Sequence, residues 1–130
     1  MVGSEDDLKA MTAAAHAHGI RIIVDVVTNH FTADWNAIDS DWQKSEYFHA
    51  RNSCSGSGGD NIDYSNRWQV THCHLLGLWD LNTANPEVAN RMHDFLKTAV
   101  NDGVDGFRFD AGKHVELPNE FDGSQYWTTI

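Results

Sequence analysis

The chain has 130 residues, enough for one compact domain with a modest core. Nineteen acidic against nine basic residues give a formal net charge of −10, the wrong sign for a surface that binds nucleic acid by neutralising phosphates. The longest purely apolar run, Ile22-Ile23-Val24, falls far short of the roughly 20 residues of a membrane span, and no basic, apolar leader follows Met1.

Ser4-Glu5-Asp6-Asp7 predicts a helix start, with Ser4 as N-cap and acids in the first turn. Leu8, Met11, Ala14 and Ala15 recur at helical spacing, and Gly19 stands where the helix should end. Ile20 to Val27 is dense in β-branched residues and nearly free of charge, which predicts a strand buried on both faces, as in a parallel sheet covered by helices. From Phe31 to about Gly77 apolar periodicity vanishes. Gly, Ser, Asn and Asp dominate, with single aromatics (Trp35, Trp42, Tyr47, Phe48, Tyr64, Trp68), so this stretch is an ordered functional loop or a small inserted subdomain. Asn85-Pro86 then opens a second helix with the stripe Val88, Met92, Phe95, Leu96 and Ala99, closed by Gly103. Val104 to Asp110 is a second strand, with Phe107 and Phe109 on one face and Arg108 and Asp110 on the other. Helix, strand, long insertion, helix, strand makes an α/β chain. A (β/α)₈ barrel takes about 250 residues, so this length holds only two of its strands and the chain reads as a piece of one.

Cys54 and Cys73 lie 19 positions apart in a polar stretch and fit either two unrelated thiols or, in an oxidising compartment, a bridge closing a flexible loop. Reactive groups of barrels gather at the C-terminal ends of strands. The first strand ends Asp25-Val26-Val27-Thr28-Asn29-His30, the second Arg108-Phe109-Asp110-Ala111-Gly112-Lys113-His114. An arginine next to a carboxylate favours its ionised form, the form in which a retaining glycosidase attacks an anomeric carbon.

These two segments resemble the first and second signatures of the α-amylase family of glycoside hydrolases, and Leu78-Trp79-Asp80-Leu81-Asn82 is similar to the shorter signature near the end of the domain inserted after that family's third strand. The animal-like branch, found also in bacteria, is the most similar, with a disulfide of the same separation as Cys54 to Cys73 and a Tyr matching Tyr64 ahead of Trp68-Gln69-Val70-Thr71-His72-Cys73.

The resemblance implies a segment of a (β/α)₈ TIM barrel with an irregular, β-rich inserted domain. Residues 1–30 would be the second helix and third strand, 31–78 the insertion, and 79–130 the third helix, fourth strand and following loop. It implies a Cys54–Cys73 bridge and a secreted, extracellular enzyme, monomeric at full length, acting on α-glucan. By position, Asp110 matches the nucleophile and Arg108 the residue that orients it. His30 matches the imidazole on the sugar at the cleavage point, Lys113 and His114 line the leaving-group side, Asp25 sits at the base of the site, and Tyr64 walls the cleft. A structural calcium would be held by the side chains of Asn29 and Asp80 and the carbonyls of Thr71 and His114, oxygen donors that suit a hard cation. Arg108 also matches one ligand position of the chloride bound in the animal-like branch. The general acid of the family stands at the end of the next barrel strand, so Glu116 and Glu120 read as loop residues and the piece alone should be inactive.

Other readings compete. Asp110 with Arg108 could be a plain buried ion pair, and Trp35 and Trp42 suit the small core of the insertion. His72-Cys73-His74 and His16-x-His18 have zinc-like spacing, but the first flanks a cysteine assigned to the bridge and the second sits on a helix without further ligands. Two departures from the family pattern are Trp79, where a small or aliphatic residue is usual, and Gly112, which should loosen the turn carrying Lys113. The implied activity is retaining endo-hydrolysis of α-1,4-glucosidic bonds. The alternatives are a transglycosidase of the same family and a non-catalytic carbohydrate-binding homologue; the intact Arg108, Asp110 and His30 weigh against the last.

Overall fold

The computed structural model describes residues 3–130. Helix α1 spans Glu5–Ala17 and opens on a capping box: the Ser4 hydroxyl accepts from Asp7 N, and the Asp7 carboxylate accepts from Ser4 N at 2.8 Å. Strand β1 is Ile23–Val26, α2 Arg67–His72, α3 Pro86–Asn101, β2 Gly106–Phe109 and α4 Tyr126–Thr129. The two strands pair in parallel, with Asp25 opposite Arg108 and Val26 opposite Phe109. A parallel pair needs a long crossover, and α3 supplies its regular part. Asn85 caps that helix through Glu87 N, and Pro86 takes the first helical position, where its missing N–H costs nothing.

The expected burial of the first strand on both faces does not hold. Val26 is buried, but Ile23 is 67% exposed, and Ile20 and Val27 are open as well. A strand is enclosed only when both flanks and both faces are covered, and among the described residues β1 has a single partner, β2. Phe95, placed on the buried stripe of α3, is 52% exposed for a related reason: it borders an open groove of about 360 Å³ with Val27, Phe31 and Trp42. Val88, Met92, Leu96 and Ala99 of the same stripe are buried.

The insertion is not β-rich. Among the described residues it is made of short 3-10 turns and α2, and its β pairing is limited to Phe48, in an isolated bridge with Leu81; a second isolated bridge, His30 with Asp80, joins the segments that flank it. The cause is local. Asp34 and Asp39 accept from the backbone N–H two residues on, at 3.0 and 2.9 Å, so their side chains satisfy donors that a strand would send to a ladder. Tyr47, Phe48 and Leu81 pack with Val88, Ala89, Met92, Val115 and Tyr126 in one cluster, and Trp35, Trp42 and Trp79 pack against it, so the insertion shares its core with α3. Trp79, unusual for its position, meets Trp35 at 4.6 Å and carries Arg51 4.5 Å over its ring. Cys54 and Cys73 form a disulfide with Cα atoms 5.6 Å apart, so the two cysteines are a bridge and not independent thiols.

Candidate active site at the strand ends

The parallel register brings the two polar strand ends side by side. Asp110 lies one residue past the ladder, its backbone N–H still donating to Val26 O at 2.8 Å. Two residues back on the same face, Arg108 sends Nη1 to Asp110 Oδ1 at 3.0 Å and lies 3.8 Å from Asp25 Oδ2 across the sheet. One guanidinium therefore sits between two carboxylates in a solvent-open site, where its value is orientation rather than stability. Phe107 and Phe109 take the opposite face, as the alternation requires, and Phe109 meets Trp127 edge-on at 5.2 Å.

Beyond Asp110 the chain turns at Ala111, whose φ of 51° lies in the left-handed region, into the short helical turn Gly112–His114. The turn is tied to the insertion from two sides. His114 Nδ1 lies 2.7 Å from Val70 O. Arg67 donates to the carbonyls of Lys113 and Val115, and its guanidinium grips Glu120 at 2.7 and 2.8 Å, which holds that carboxyl below its ordinary range. The Lys113 ammonium sits 4.4 Å over the ring of Tyr64, and Tyr64 is edge-on to His114 at 6.0 Å. At 58% exposure, Tyr64 presents its other side to solvent, at one edge of a groove of about 630 Å³ that also touches Ser55, Asp60 and Leu76. That groove lies on the insertion and does not include Asp110.

His30 faces the same space. Burial pushes its imidazole below the ordinary value, and the Asp110 carboxylate offsets part of that; Nδ1 is buried without a partner. Burial also lowers His114, with Val70 O working against it and the charges of Lys113, His30 and Arg67 adding to it. His30, Asp110, Lys113 and His114 are thus one electrostatic neighbourhood. The His114 ring is itself buried, which makes it a strut more than a free contact surface.

Of the residues expected to hold calcium, Asn29 and Asp80 are in direct contact. Asn29, Thr71, Asp80 and His114 are all buried. Asn29 Nδ2 donates to Asp80 Oδ1 at 3.0 Å, and His49 Nδ1 is 2.7 Å from Asp80 Oδ2. Burial pushes the Asp80 carboxyl well above its usual range, with the Asn29 bond and His72 offsetting only part. A fully buried carboxylate with no arginine or lysine beside it is the environment a hard cation would neutralise. Glu116 and Glu120 are both engaged. Glu116 is buried, accepting from Asp122 N and from Gly123 N at 3.1 Å, and Glu120 belongs to Arg67.

Sequence reasoning missed His49 and Arg67. His49 carries no periodic or capping signal, and Arg67 is marked only by its place at the start of the Asn66-capped α2.

The family model for the α-amylase catalytic domain matches residues 1–129. An α-amylase of Clostridium acetobutylicum is 34% identical over 133 residues, covering 98% of this chain and 16% of that protein. Among solved structures, a variant of α-amylase I from Eisenia fetida in complex with maltohexaose superposes with a TM-score of 0.76 at 31% identity, over 88% of this chain and 26% of that one. A three-domain cyclomaltodextrin glucanotransferase superposes with a TM-score of 0.72 at 26% identity, over 88% of this chain and 25% of that one. The chain spans about 13 to 25% of the length of the curated relatives it matches.

Proposed function

Since the chain belongs to the α-amylase family, matched over residues 1–129, and is a segment of that family's (β/α)₈ barrel, we propose that it supplies the nucleophile side of a retaining hydrolase of α-1,4-glucans such as starch. The observation that carries this reading is the 3.0 Å bond from Arg108 to Asp110 at the strand end. Arg108 takes Oδ1, so Oδ2 is the oxygen that attacks the anomeric carbon and forms the glycosyl-enzyme. His30, with Nδ1 buried, offers its other nitrogen to the sugar at the cleavage point. Lys113 and Tyr64 receive the leaving-group side, and Asp25 steadies Arg108 from below. The mechanism needs an acid carboxyl about 5 Å from the nucleophile. Glu116 and Glu120 have other duties, so another barrel strand end would carry it in the whole enzyme.

The buried Asn29–Asp80 pair, with the carbonyls of Thr71 and His114, fits a structural calcium, which would supply positive charge where Asp80 has none and join insertion to barrel. Arg108 is the residue this segment would contribute to a chloride site. The Cys54–Cys73 bridge supports a secreted enzyme, since disulfides persist in oxidising compartments. We read the full-length protein as a monomer. A second reading, glucan transfer, is favoured by the likeness to a cyclomaltodextrin glucanotransferase; the two differ in whether water or a sugar hydroxyl resolves the intermediate.

The test is the full-length protein carrying Asp110→Asn. Turnover on starch should vanish while binding of the glucan persists, and retained hydrolysis would refute the nucleophile assignment. Product analysis of the unmodified protein separates linear maltooligosaccharides from cyclic or transferred glucans.

A further inference from the structure

His72-Cys73-His74 has a metal-like spacing in the sequence, but folding separates its members. Cys73 is in the disulfide, and His74 sends Nε2 to the carbonyl of His49 at 2.9 Å. His72 faces a different set: one ligand atom from each of His49, His72 and Asp122 lies within 4.8 Å of the others.

The outer contacts of the two rings orient them for metal binding. His49 Nδ1 is 2.7 Å from Asp80 Oδ2, and His72 Nδ1 is 3.0 Å from Trp68 O. The Thr71 hydroxyl also lies 2.8 Å from His72 Nδ1 and can accept from it while donating to Arg67 O or Trp68 O; in the tautomer with the proton on Nδ1, each ring keeps its Nε2 lone pair for a metal. A carboxylate or carbonyl on the far ring nitrogen is the usual support of a metal-binding histidine. His49 Nε2 is buried and has no partner. His72 Nε2 lies 3.3 Å from Asp122 Oδ2, and in that tautomer the two are acceptors that a cation would join. His72 is held flat between Trp68, 4.6 Å away at 18°, and His49, 4.4 Å away at 28°. Asp122 is presented by Glu116, which accepts the N–H groups of Asp122 and Gly123 and whose other oxygen is buried and unpartnered. The site is therefore anionic on one side and open on the other, because the Asp122 side chain is 57% exposed.

We propose that His49, His72 and Asp122 bind a divalent transition metal of the zinc class, with solvent as a further ligand, at a site distinct from the oxygen set around Asn29 and Asp80. Two imidazoles and one carboxylate suit zinc and disfavour calcium, which takes oxygen donors. Metal–ligand bonds of roughly 2.0–2.2 Å require the three groups to close inward: the stacked His49 and His72 rings must tilt apart so that both Nε2 lone pairs converge, and the exposed Asp122 loop must follow. Bound metal would join the insertion, through His49 and His72, to the loop after β2. The assignment does not depend on Asp110 being the nucleophile.

Zinc chloride is titrated into the full-length protein held in saturating calcium chloride, with calorimetry and zinc-edge X-ray absorption as readouts. The expectation is one zinc bound per chain, with imidazole scattering from two histidines. Asp122→Asn, at an exposed position that should leave the fold intact, should weaken binding at least about tenfold, and His72→Gln at least as much. His93→Gln, on the exposed face of α3, should change nothing. The proposal fails if no zinc binds, if Asp122→Asn binds zinc as the unmodified protein does, or if calcium displaces zinc one for one.

Discussion

Leu76 and Ala111 carry side chains on a left-handed backbone, at φ 54° and 51°, and the two positions respond to substitution differently. Leu76 is 81% exposed, so its side chain buries little that would repay the strain. An L-residue in this region costs about 1–2 kcal/mol, and glycine returns part of that as chain entropy. Leu76→Gly should therefore raise stability by roughly 0.5–1 kcal/mol in thermal or denaturant unfolding; a loss would mean that Leu76 packs in a way its exposure hides. Ala111 instead turns the chain between two anchors, Asp110 N on Val26 O and His114 Nδ1 on Val70 O. The sequence suggested that Gly112 loosens this turn, but the left-handed residue is its neighbour. A Cβ at Gly112 would meet only Trp127, at 3.8 Å, so Gly112→Ala should be tolerated within about 0.5 kcal/mol. Such a backbone choice is set by distant anchors, which is why the motif identified Asp110 but not the conformation beside it. Tyr126 gives a pH prediction. Burial pushes its hydroxyl up to about 12, and Thr28, close by but beyond a normal hydrogen bond, offsets only part. An unfolded tyrosine titrates near 10, so the unfolded chain loses its proton first and stability falls as pH rises from about 10 to about 12. Tyr126→Phe should unfold less steeply across that window, and identical alkaline profiles would refute the account.

Helices α1 and α3 were legible because their start and stop signals are local, whereas the short α2 and α4 carry no such pair of signals. Ser4, Gly19, Asn85 and Gly103 each act within a few residues, and each sits where the pattern placed it. Strand burial and the makeup of the insertion were not legible, because Ile23 and Phe95 depend on what covers them, and because Asp34 and Asp39 form local turns that no periodicity announces. How α1 docks was equally hidden. The buried contact residue on α1 is polar Thr12, whose hydroxyl donates to Asp102 O at 2.6 Å, while Met11 of the apolar set is exposed. Gly103 is the counterpart: φ is 93°, and a Cβ there would lie 2.5 Å from Thr12 Oγ1. Gly103→Ala meets both backbone strain and a clash with a hydrogen-bonded hydroxyl, and should destabilise by more than about 1 kcal/mol in denaturant unfolding. Pairing it with Thr12→Ala, which removes the hydroxyl contact and leaves the Cβ of residue 12 at 2.9 Å, should recover part of the loss. Simple additivity of the two would mean that the helices do not meet through this contact.

At the scale of the whole molecule, the family signatures located the strand-end residues, because their chemistry sits in contiguous motifs, whereas the ties between insertion and barrel join residues far apart in sequence. Arg67 to Glu120 and His114 to Val70 are two such ties, and the disulfide fixes the segment on which both depend. Cys73 directly follows α2, which carries Arg67, Val70 and the proposed calcium ligand Thr71. Opening the bridge should therefore have two effects. The first is the loop-entropy loss, on the order of 3 kcal/mol for a closure of this size. The second is indirect: a freer α2 holds the Thr71 carbonyl less firmly, so calcium should bind more weakly. In the unmodified full-length protein, calcium at a hundred times its dissociation constant should raise stability by about 2.7 kcal/mol, and chelation should remove that gain. In the Cys54→Ser, Cys73→Ser protein the same calcium concentration should give a smaller gain, because α2 must be ordered at the expense of binding energy. Thermal unfolding of both proteins across a calcium titration measures the difference. Equal calcium gains would show that the bridge and the calcium cluster stabilise the protein independently, and no calcium gain in either would remove calcium from the cluster at Asp80.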